Sequence, residues 1–380
     1  MTAASPSAPQ WLCAGREIFP ALLAALAAAQ TSIELETYIY ANGRLGQQVR
    51  AALVAAAQRG VRVRVLVDAV GSWFLPDRFF DPLVAAGGEV RRFNPLRRWR
   101  FGVRDHRKLL ICDARVIFVG GFNLADEYDG DGLTQGWYDL GLRLENPRLA
   151  GELADSFAEL FALASFHRKP MLRLRPFRRK RPPEMPRTGH LLTTHPGRGA
   201  SRFQIALSQD LATARDVRII SAYFLPTRRV RRDLLRVVRR GGRVQLLLAG
   251  RTDVPVSQMA ARSLYLRLLR GGVEIYEYQP QILHAKLILL DGVTYAGSSN
   301  LDLRSLNLNY ELMLRLADPA TAAGAAALFA GALLHSRKIE RAAWKKSQTL
   351  WQRTQNHWAH FLLARIDPWV ALSQFESLPA

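Results

Sequence analysis

The chain has 380 residues, with 53 Lys and Arg against 32 Asp and Glu, and a formal net charge of +21. With 49% hydrophobic and 22% charged residues it is neither disordered nor fibrous, and its length suits about two domains that each bury a core. The excess charge predicts a polyanionic partner: nucleic acid, anionic membrane or phosphorylated substrate.

Residues 1–14 are short of positive charge and lack an apolar signal core. The apolar runs 18–29 and 322–334 fall short of the ~20 residues a spanning helix needs, and the first contains Pro20, so no transmembrane segment is expected. Cys13 and Cys112 are too few for a disulfide framework and suit a reducing cytosol.

From residue 31 the chain reads strand, helix, strand. A β-branched strand ends at Tyr38. A helix follows with Leu45, Val49, Ala52 and Leu53 on one face, Gly60 stops it, and Val61, Val63, Val65 and Val67 alternate through a second strand. The basic and aromatic stretch Arg97, Arg98, Trp99, Arg100, Phe101 and Arg104 reads either as a guide for a phosphate or as an exposed loop. It leads into His106-x-Lys108 with Asp113 beyond, then Gly120-Gly121-Phe122-Asn123, then Asp139. Residues 167–187 hold nine Lys and Arg, one acid and five prolines, a composition that forbids a packed core. They are read as a linker, either a solvated connector or a polybasic anchor to anionic lipid.

After residue 216 the same grammar returns. A strand ends at Tyr223, a helix carries Val230, Leu234, Val237 and Val238, Gly241 stops it, and Val244, Leu246 and Leu248 alternate. Residues 270–280 match 85–95. Then come His284-x-Lys286 with Asp291, Gly297-Ser298-Ser299-Asn300, and Glu311. The His, Lys and Asp of the two copies are separated by the same interval. Each half should therefore be a β-α-β unit with a largely parallel sheet, duplicated about a pseudo-twofold axis.

Two copies of His, Lys and Asn beside a carboxylate suit a phosphodiester. Lys108, Lys286, Asn123 and Asn300 can neutralise its oxygens, with Ser298 in the same turn. One imidazole can attack phosphorus while the other protonates the leaving oxygen. A carboxylate such as Asp139 or Glu311 can fix an imidazole tautomer. Asp113 and Asp291 fall after the strand, and either take part in the site or brace a turn.

On these motifs the chain resembles the phospholipase D superfamily. Within it, segments 35–72, 120–128, 136–145 and 296–312 are similar to the shorter bacterial cardiolipin synthases. Glu145-Asn146-Pro147 departs from that pattern, in which a glycine precedes the proline. The resemblance implies a duplicated α/β/α sandwich with the active site between the halves, and His106, Lys108, Asp113, His284, Lys286 and Asp291 as its catalytic motif residues. It implies transphosphatidylation between two phosphatidylglycerols through a phosphohistidine, usually on the N-terminal-half histidine. No metal or cofactor is implied, nor an obligatory protein partner. The expected partner is an anionic phospholipid membrane, with the protein peripheral on the cytoplasmic face of the bacterial inner membrane and nucleic acid an unlikely partner. The alternative activity is a phospholipase D or nuclease-type hydrolase with water as acceptor. A non-catalytic scaffold is disfavoured by the two intact motifs.

The expected organisation is a first half at 1–166, a linker at 167–200, a second half at 201–335 and a membrane-associating segment at 336–380. In that last segment Trp344, Trp351 and Trp358 recur every seven residues, extended by Phe361 and Leu362 and flanked by Lys345, Lys346, Arg353 and Arg365. On one helix they would form a stripe facing either the bilayer or the protein's own core. His357 and His360 lack a third ligand and are assigned no metal.

Overall fold

The computed structural model describes residues 9–94, 102–164, 190–196 and 199–366. The stretch Arg97, Arg98, Trp99, Arg100 and Phe101 and the segment 167–187 lie outside the described residues. The first half runs β1 (Gln10–Cys13), α1 (Ala14–Ala28), β2 (Ser32–Thr37), α2 (Arg44–Gln58), β3 (Arg62–Asp68), α3 (Asp81–Ala85), β4 (Glu89–Phe93), β5 (Leu109–Cys112), β6 (Val116–Gly120), β7 (Leu140–Glu145) and α4 (Pro147–Leu163). The second half opens with β8 (His190–Thr194), α5 (Arg202–Thr213), β9 (Asp216–Ser221), α6 (Arg228–Arg239), β10 (Arg243–Ala249), α7 (Pro255–Arg270) and β11 (Glu274–Tyr278). It continues with β12 (Lys286–Leu290), β13 (Val293–Gly297), α8 (Leu303–Asn307), β14 (Glu311–Leu316) and α9 (Pro319–Leu334). Then follow β15 (Ser336–Lys338), α10 (Arg341–Ser347) and α11 (Leu350–Phe361).

The helices form where the periodicity placed them. α2 buries Leu45, Val49 and Leu53, and α6 buries Val230, Leu234 and Val237. Gly60 and Gly241 end them at φ +89° and +83°, which a side chain would disfavour. Asn146, at the departure from the related pattern, caps α4 by accepting from Leu149 N at 3.0 Å.

Strand order is β1-β7-β6-β5-β2-β3-β4 in a seven-stranded sheet and β8-β14-β13-β12-β9-β10-β11-β15 in an eight-stranded one. The two orders coincide position for position, with β15 added at one edge. The expectation of largely parallel sheets is corrected. Among the described strands only β2-β3-β4 and β9-β10-β11 pair in parallel, and the other strand pairs are antiparallel. The crossover helices join only the parallel strands, whereas β5–β6 and β12–β13 are hairpins, whose tight turns impose antiparallel pairing.

Outer helices cover each sheet: α1 and α2 on the first, α5, α6 and α7 on the second. The inner sides share a core. Phe157 and Leu153 of α4 lie with Leu109 and Val119 of the first sheet and Leu312 and Leu314 of the second. Phe329 and Ala325 of α9 lie with Leu140, Leu287 and Leu289.

Two expected boundaries move. The interval 167–200, expected as linker, contains β8, paired antiparallel with β14 as the counterpart of β1. Its apolar residues were hidden by Pro- and Arg-rich neighbours. The described part of the segment expected at 336–380 packs on the second half: β15 pairs with β11, and α11 lies along α7. No helix among the described residues is long and apolar enough to cross a membrane.

Candidate active site

His106 and Lys108 lead into β5, and Lys286 opens β12 two residues after His284. The two motif segments are stitched across the molecule rather than within a half. His106 N donates to Tyr310 O at 3.0 Å and Tyr310 N to Arg104 O at 2.9 Å, while Tyr138 N donates to Ile282 O at 2.9 Å and His284 N to Tyr138 O at 2.8 Å. Each bridge delivers the neighbouring acid of the opposite half. Glu311 Oε1 lies 2.9 Å from His106 Nδ1, and Asp139 Oδ2 lies 2.7 Å from His284 Nδ1. Each of these two imidazole–carboxylate pairs thus takes one member from each half.

The acids are themselves held. Ser298 Oγ donates to Glu311 Oε2 at 2.5 Å, and Leu140 N to Asp139 Oδ1 at 2.8 Å. The first-half counterpart of Ser298 is Gly121, where a Cβ would sit 2.2 Å from Asp139 Oδ1. The residue must be glycine for the carboxylate to reach its place. Lys286 Nζ lies 2.9 Å from His284 Nδ1 and also donates to the His284 carbonyl; Lys108 Nζ donates to His106 O at 2.7 Å.

This cluster of charge is largely buried, and burial governs its protonation. Burial, with the ammonium groups of Lys108 and Lys286 nearby, holds His106 well below its usual pKa, and burial and Lys286 take His284 to about 4. Burial lowers Lys108 to about 7 and Lys286 to about 8, and raises Glu311 to about 7. With both imidazoles neutral and tethered at Nδ1, His106 presents its Nε2 lone pair, whereas Nε2 of His284 lies 3.1 Å from Lys286 Nζ. Clustered perturbed groups of this kind mark a site built for proton transfer.

Aromatic rings line the two imidazoles unequally. Tyr38 lies 4.9 Å from His106, whereas Tyr128, Trp137 and Tyr223 lie 5.2, 5.6 and 6.4 Å from His284. The His106 side chain is 13% exposed against 5% for His284. His106 is therefore the more open to an incoming group.

The remaining site residues divide. Asn123 Oδ1 accepts from Ile39 N at 3.1 Å and its Nδ2 donates to Tyr128 OH at 2.6 Å, so it braces the strand end that carries Tyr38. Asn300 is buried and its Oδ1 has no partner. Asp113 and Asp291 do not join the cluster. They sit in the turns at the far ends of β5 and β12, roughly 16 Å beyond the lysines at the usual strand rise. Asp113 accepts from the backbone of Gln30, Thr31 and Ser32, and Asp291 from that of Arg215 and Asp216. Of the two sequence readings, the turn brace holds. Their φ of +54° and +53° also suits Asp or Asn. Asp113→Ala should lower stability by about 1–3 kcal/mol while leaving kcat within about threefold. Thermal unfolding and steady-state rates check this, and a large loss of kcat in a folded variant would contradict it.

A buried charge network behind the first motif escaped the sequence reading. Arg107 faces Glu36 at 3.0 Å, Arg104 faces Asp68 at 3.4 Å, and Asp68 also accepts from Asp105 N at 2.9 Å. Arg104, read from sequence as part of an exposed or phosphate-guiding stretch, is thus an interior residue. Burial raises Asp105 well above the carboxylate range, with Glu36 adding to it. The counterparts of Glu36, Asp68, Asp105 and Arg107 in the second half are Ile220, Ala249, Leu283 and Ala285, all apolar. Charges within otherwise β-apolar runs were the available signal. Among the described residues no three His, Cys, Asp or Glu side chains converge as a metal-ligand set.

A family model described as "Cardiolipin synthase, PLD-like domain" matches residues 22–161 and again 207–333, once over each half of this architecture. The chain belongs to that family. It is 36% identical over 310 residues to cardiolipin synthase B of Escherichia coli (strain K12), covering 78% of this chain and 73% of that one. It is also 34% identical over 309 residues to a cardiolipin synthase of Geobacillus kaustophilus, over 78% of this chain and 60% of that one. Among solved structures the phosphatidylserine synthase of Haemophilus influenzae superposes with a TM-score of 0.75 at 14% identity, covering 96% and 95% of the two chains. That likeness establishes the shared fold. By its family the protein is an enzyme, a phosphatidyltransferase, and the cross-paired histidines lie where the two matched segments meet.

Proposed function

We propose that the protein joins two phosphatidylglycerols into cardiolipin and glycerol through a covalent phosphohistidine. The observation that carries the proposal is the pair of imidazoles, each tied at Nδ1 to a carboxylate of the opposite half, with two lysines beside them. The Nε2 of His106 attacks the phosphorus of the first lipid. The bond from phosphorus to the headgroup glycerol oxygen breaks, and His284 gives that oxygen its proton. Lys108 and Lys286 stabilise the charge on the non-bridging oxygens. The headgroup hydroxyl of a second phosphatidylglycerol then returns a proton to His284, its oxygen attacks phosphorus, and His106 is released. His106 takes the nucleophile's part because it is the more open imidazole. The bound diester's negative charge, together with Asp139, offsets the burial that disfavours protonated His284.

The lipid substrate makes an anionic bilayer the partner, with the protein peripheral on the cytoplasmic face of the inner membrane. Both half-sites come from one chain, so no protein partner is required. The test is incubation with phosphatidylglycerol vesicles, and separately with DNA, followed by mass spectrometry of the products. Cardiolipin with equimolar glycerol is expected. Phosphatidic acid as the sole lipid product, or cut DNA, would sink the synthase reading.

A further inference from the structure

The C-terminal tryptophans do not share one helix. Gln348 separates α10 from α11, and Thr349 caps α11 in a reciprocal box with Gln352. Trp344 turns inward onto Tyr265, ring centroids 4.9 Å apart, in the core of the second half. Trp351 and Trp358 do the opposite and are 70% and 64% exposed.

α11 has two contrasting faces. Asn356 and Ala359 are buried, and His360 Nδ1 lies 3.2 Å from Ser263 Oγ of α7. On the other side Leu350, Trp351, Trp358, Phe361 and Leu362 are exposed, and at 3.6 residues per turn they fall on one face. Ile366 extends this apolar surface just beyond the helix. Trp358 and Phe361 stack edge to face at 5.9 Å, so the surface is partly organised already. Scattered exposed apolar residues need no explanation, but a contiguous aromatic ridge does.

Charge identifies what covers it. Between residues 341 and 366 there is no Asp or Glu, while Arg341, Lys345, Lys346, Arg353 and Arg365 are all cationic. The neighbouring α6 carries six arginines and one acid, Asp233. Arg228 and Arg231 in its first turn are near enough to His360 to disfavour its protonation, after burial. α6 and α7 begin directly after β9 and β10. At those strand ends Tyr223 OH donates to Asp253 at 2.8 Å beside the ring of His284. The ridge therefore ends near the end of the second half that carries the active site.

We propose that the exposed face of α11, with the arginines of the first turn of α6, is the surface by which the protein docks on an anionic phospholipid bilayer. Tryptophan and phenylalanine insert at the headgroup level while the cations meet lipid phosphates. A protein groove would offer no reason for 26 residues without an acid, whereas a negatively charged plane does. The placement brings the mouth of the site to the surface from which lipid enters. The proposal rests on the phosphatidyl-transfer reading for the substrate's source, but its test does not.

The full-length protein and its Trp351→Ser/Trp358→Ser variant are compared by co-sedimentation with vesicles of phosphatidylglycerol and phosphatidylcholine, and with vesicles of phosphatidylcholine alone. A second variant, Arg228→Gln/Arg231→Gln, probes the charge. Wild type should bind the anionic vesicles, and lose them as salt rises. The tryptophan variant should bind at least about tenfold more weakly, yet turn over phosphatidylglycerol in detergent micelles at the wild-type rate. The arginine variant should lose much of the preference for anionic vesicles. Undiminished binding by the tryptophan variant overturns the proposal. So does a wild-type dimer that becomes monomeric in that variant, since the face would then bind a second copy. If wild type binds vesicles through α11 but forms no cardiolipin, the docking surface stands and the transfer reading fails.

Discussion

His106→Ala and His284→Ala are each expected to lower cardiolipin formation by on the order of 10⁴ or more, with the protein still folded. The size follows from their parts in the proposed reaction. Without His106 there is no nucleophile. Without His284 the glycerol oxygen leaves unprotonated and the second lipid has no base. The structural cost is smaller. In His106→Ala, Glu311 loses one partner but keeps Ser298, so a loss of about 1–3 kcal/mol is expected. Thermal unfolding separates this from the kinetic loss. The two variants also separate the roles. A phosphodiester with an activated leaving group needs no general acid, so His284→Ala should still trap the phosphoryl group on the protein, and His106→Ala should not. The reverse pattern would make His284 the nucleophile, and substantial cardiolipin synthesis by either variant would refute the two-histidine mechanism.

Asp139→Asn and Glu311→Gln should each lower the rate by roughly 10² to 10⁴, although neither residue belongs to the repeated motif. Each fixes its imidazole with Nδ1 as donor, which leaves Nε2 for the chemistry. An amide in the same place can favour the wrong tautomer. The pH dependence sharpens this. Glu311 ionises at about 7, so activity rises through that range as its carboxylate forms. Lys108 and Lys286 lose their protons at about 7 and 8, so activity falls as pH climbs beyond them. A narrow bell near neutrality is expected, read as apparent values of the whole cluster. Glu311→Gln removes the carboxyl that sets the acid limb, so that limb should move or vanish. An unchanged profile in a folded Glu311→Gln protein would remove Glu311 from the site.

In the structural cross-pairing each histidine takes its carboxylate from the other half. Glu311 is 205 residues from His106, and Asp139 is 145 residues from His284. A single half would bury a neutral imidazole without its carboxylate partner. The halves are nevertheless unequal. Glu36, Asp68, Arg104, Asp105 and Arg107 fill the interior behind His106 with charge, where the second half has Ile220, Ala249, Leu283 and Ala285. The unequal interiors fit the unequal exposure of the two histidines, a distinction that the repeated motif itself conceals.

The amino-acid sequence by itself determined the duplication, the strand-helix-strand units and the six motif residues, because these depend on local periodicity and fixed spacing. It identified His106, Lys108, His284, Lys286, Asp139 and Glu311 as residues of interest. It left Asp113 and Asp291 open and made the sheets too parallel. It also laid three tryptophans on one helix. Tertiary structure decided those points. Which carboxylate meets which imidazole depends on backbone bridges between distant segments, such as Tyr310 with Arg104 and His106, and no local pattern encodes them. Whether a tryptophan faces the core or water depends on what stands opposite. Tyr265 covers Trp344, whereas the described residues leave Trp351 and Trp358 exposed. Spacing fixes the face of an element on which a residue lies; only packing supplies the partner on that face.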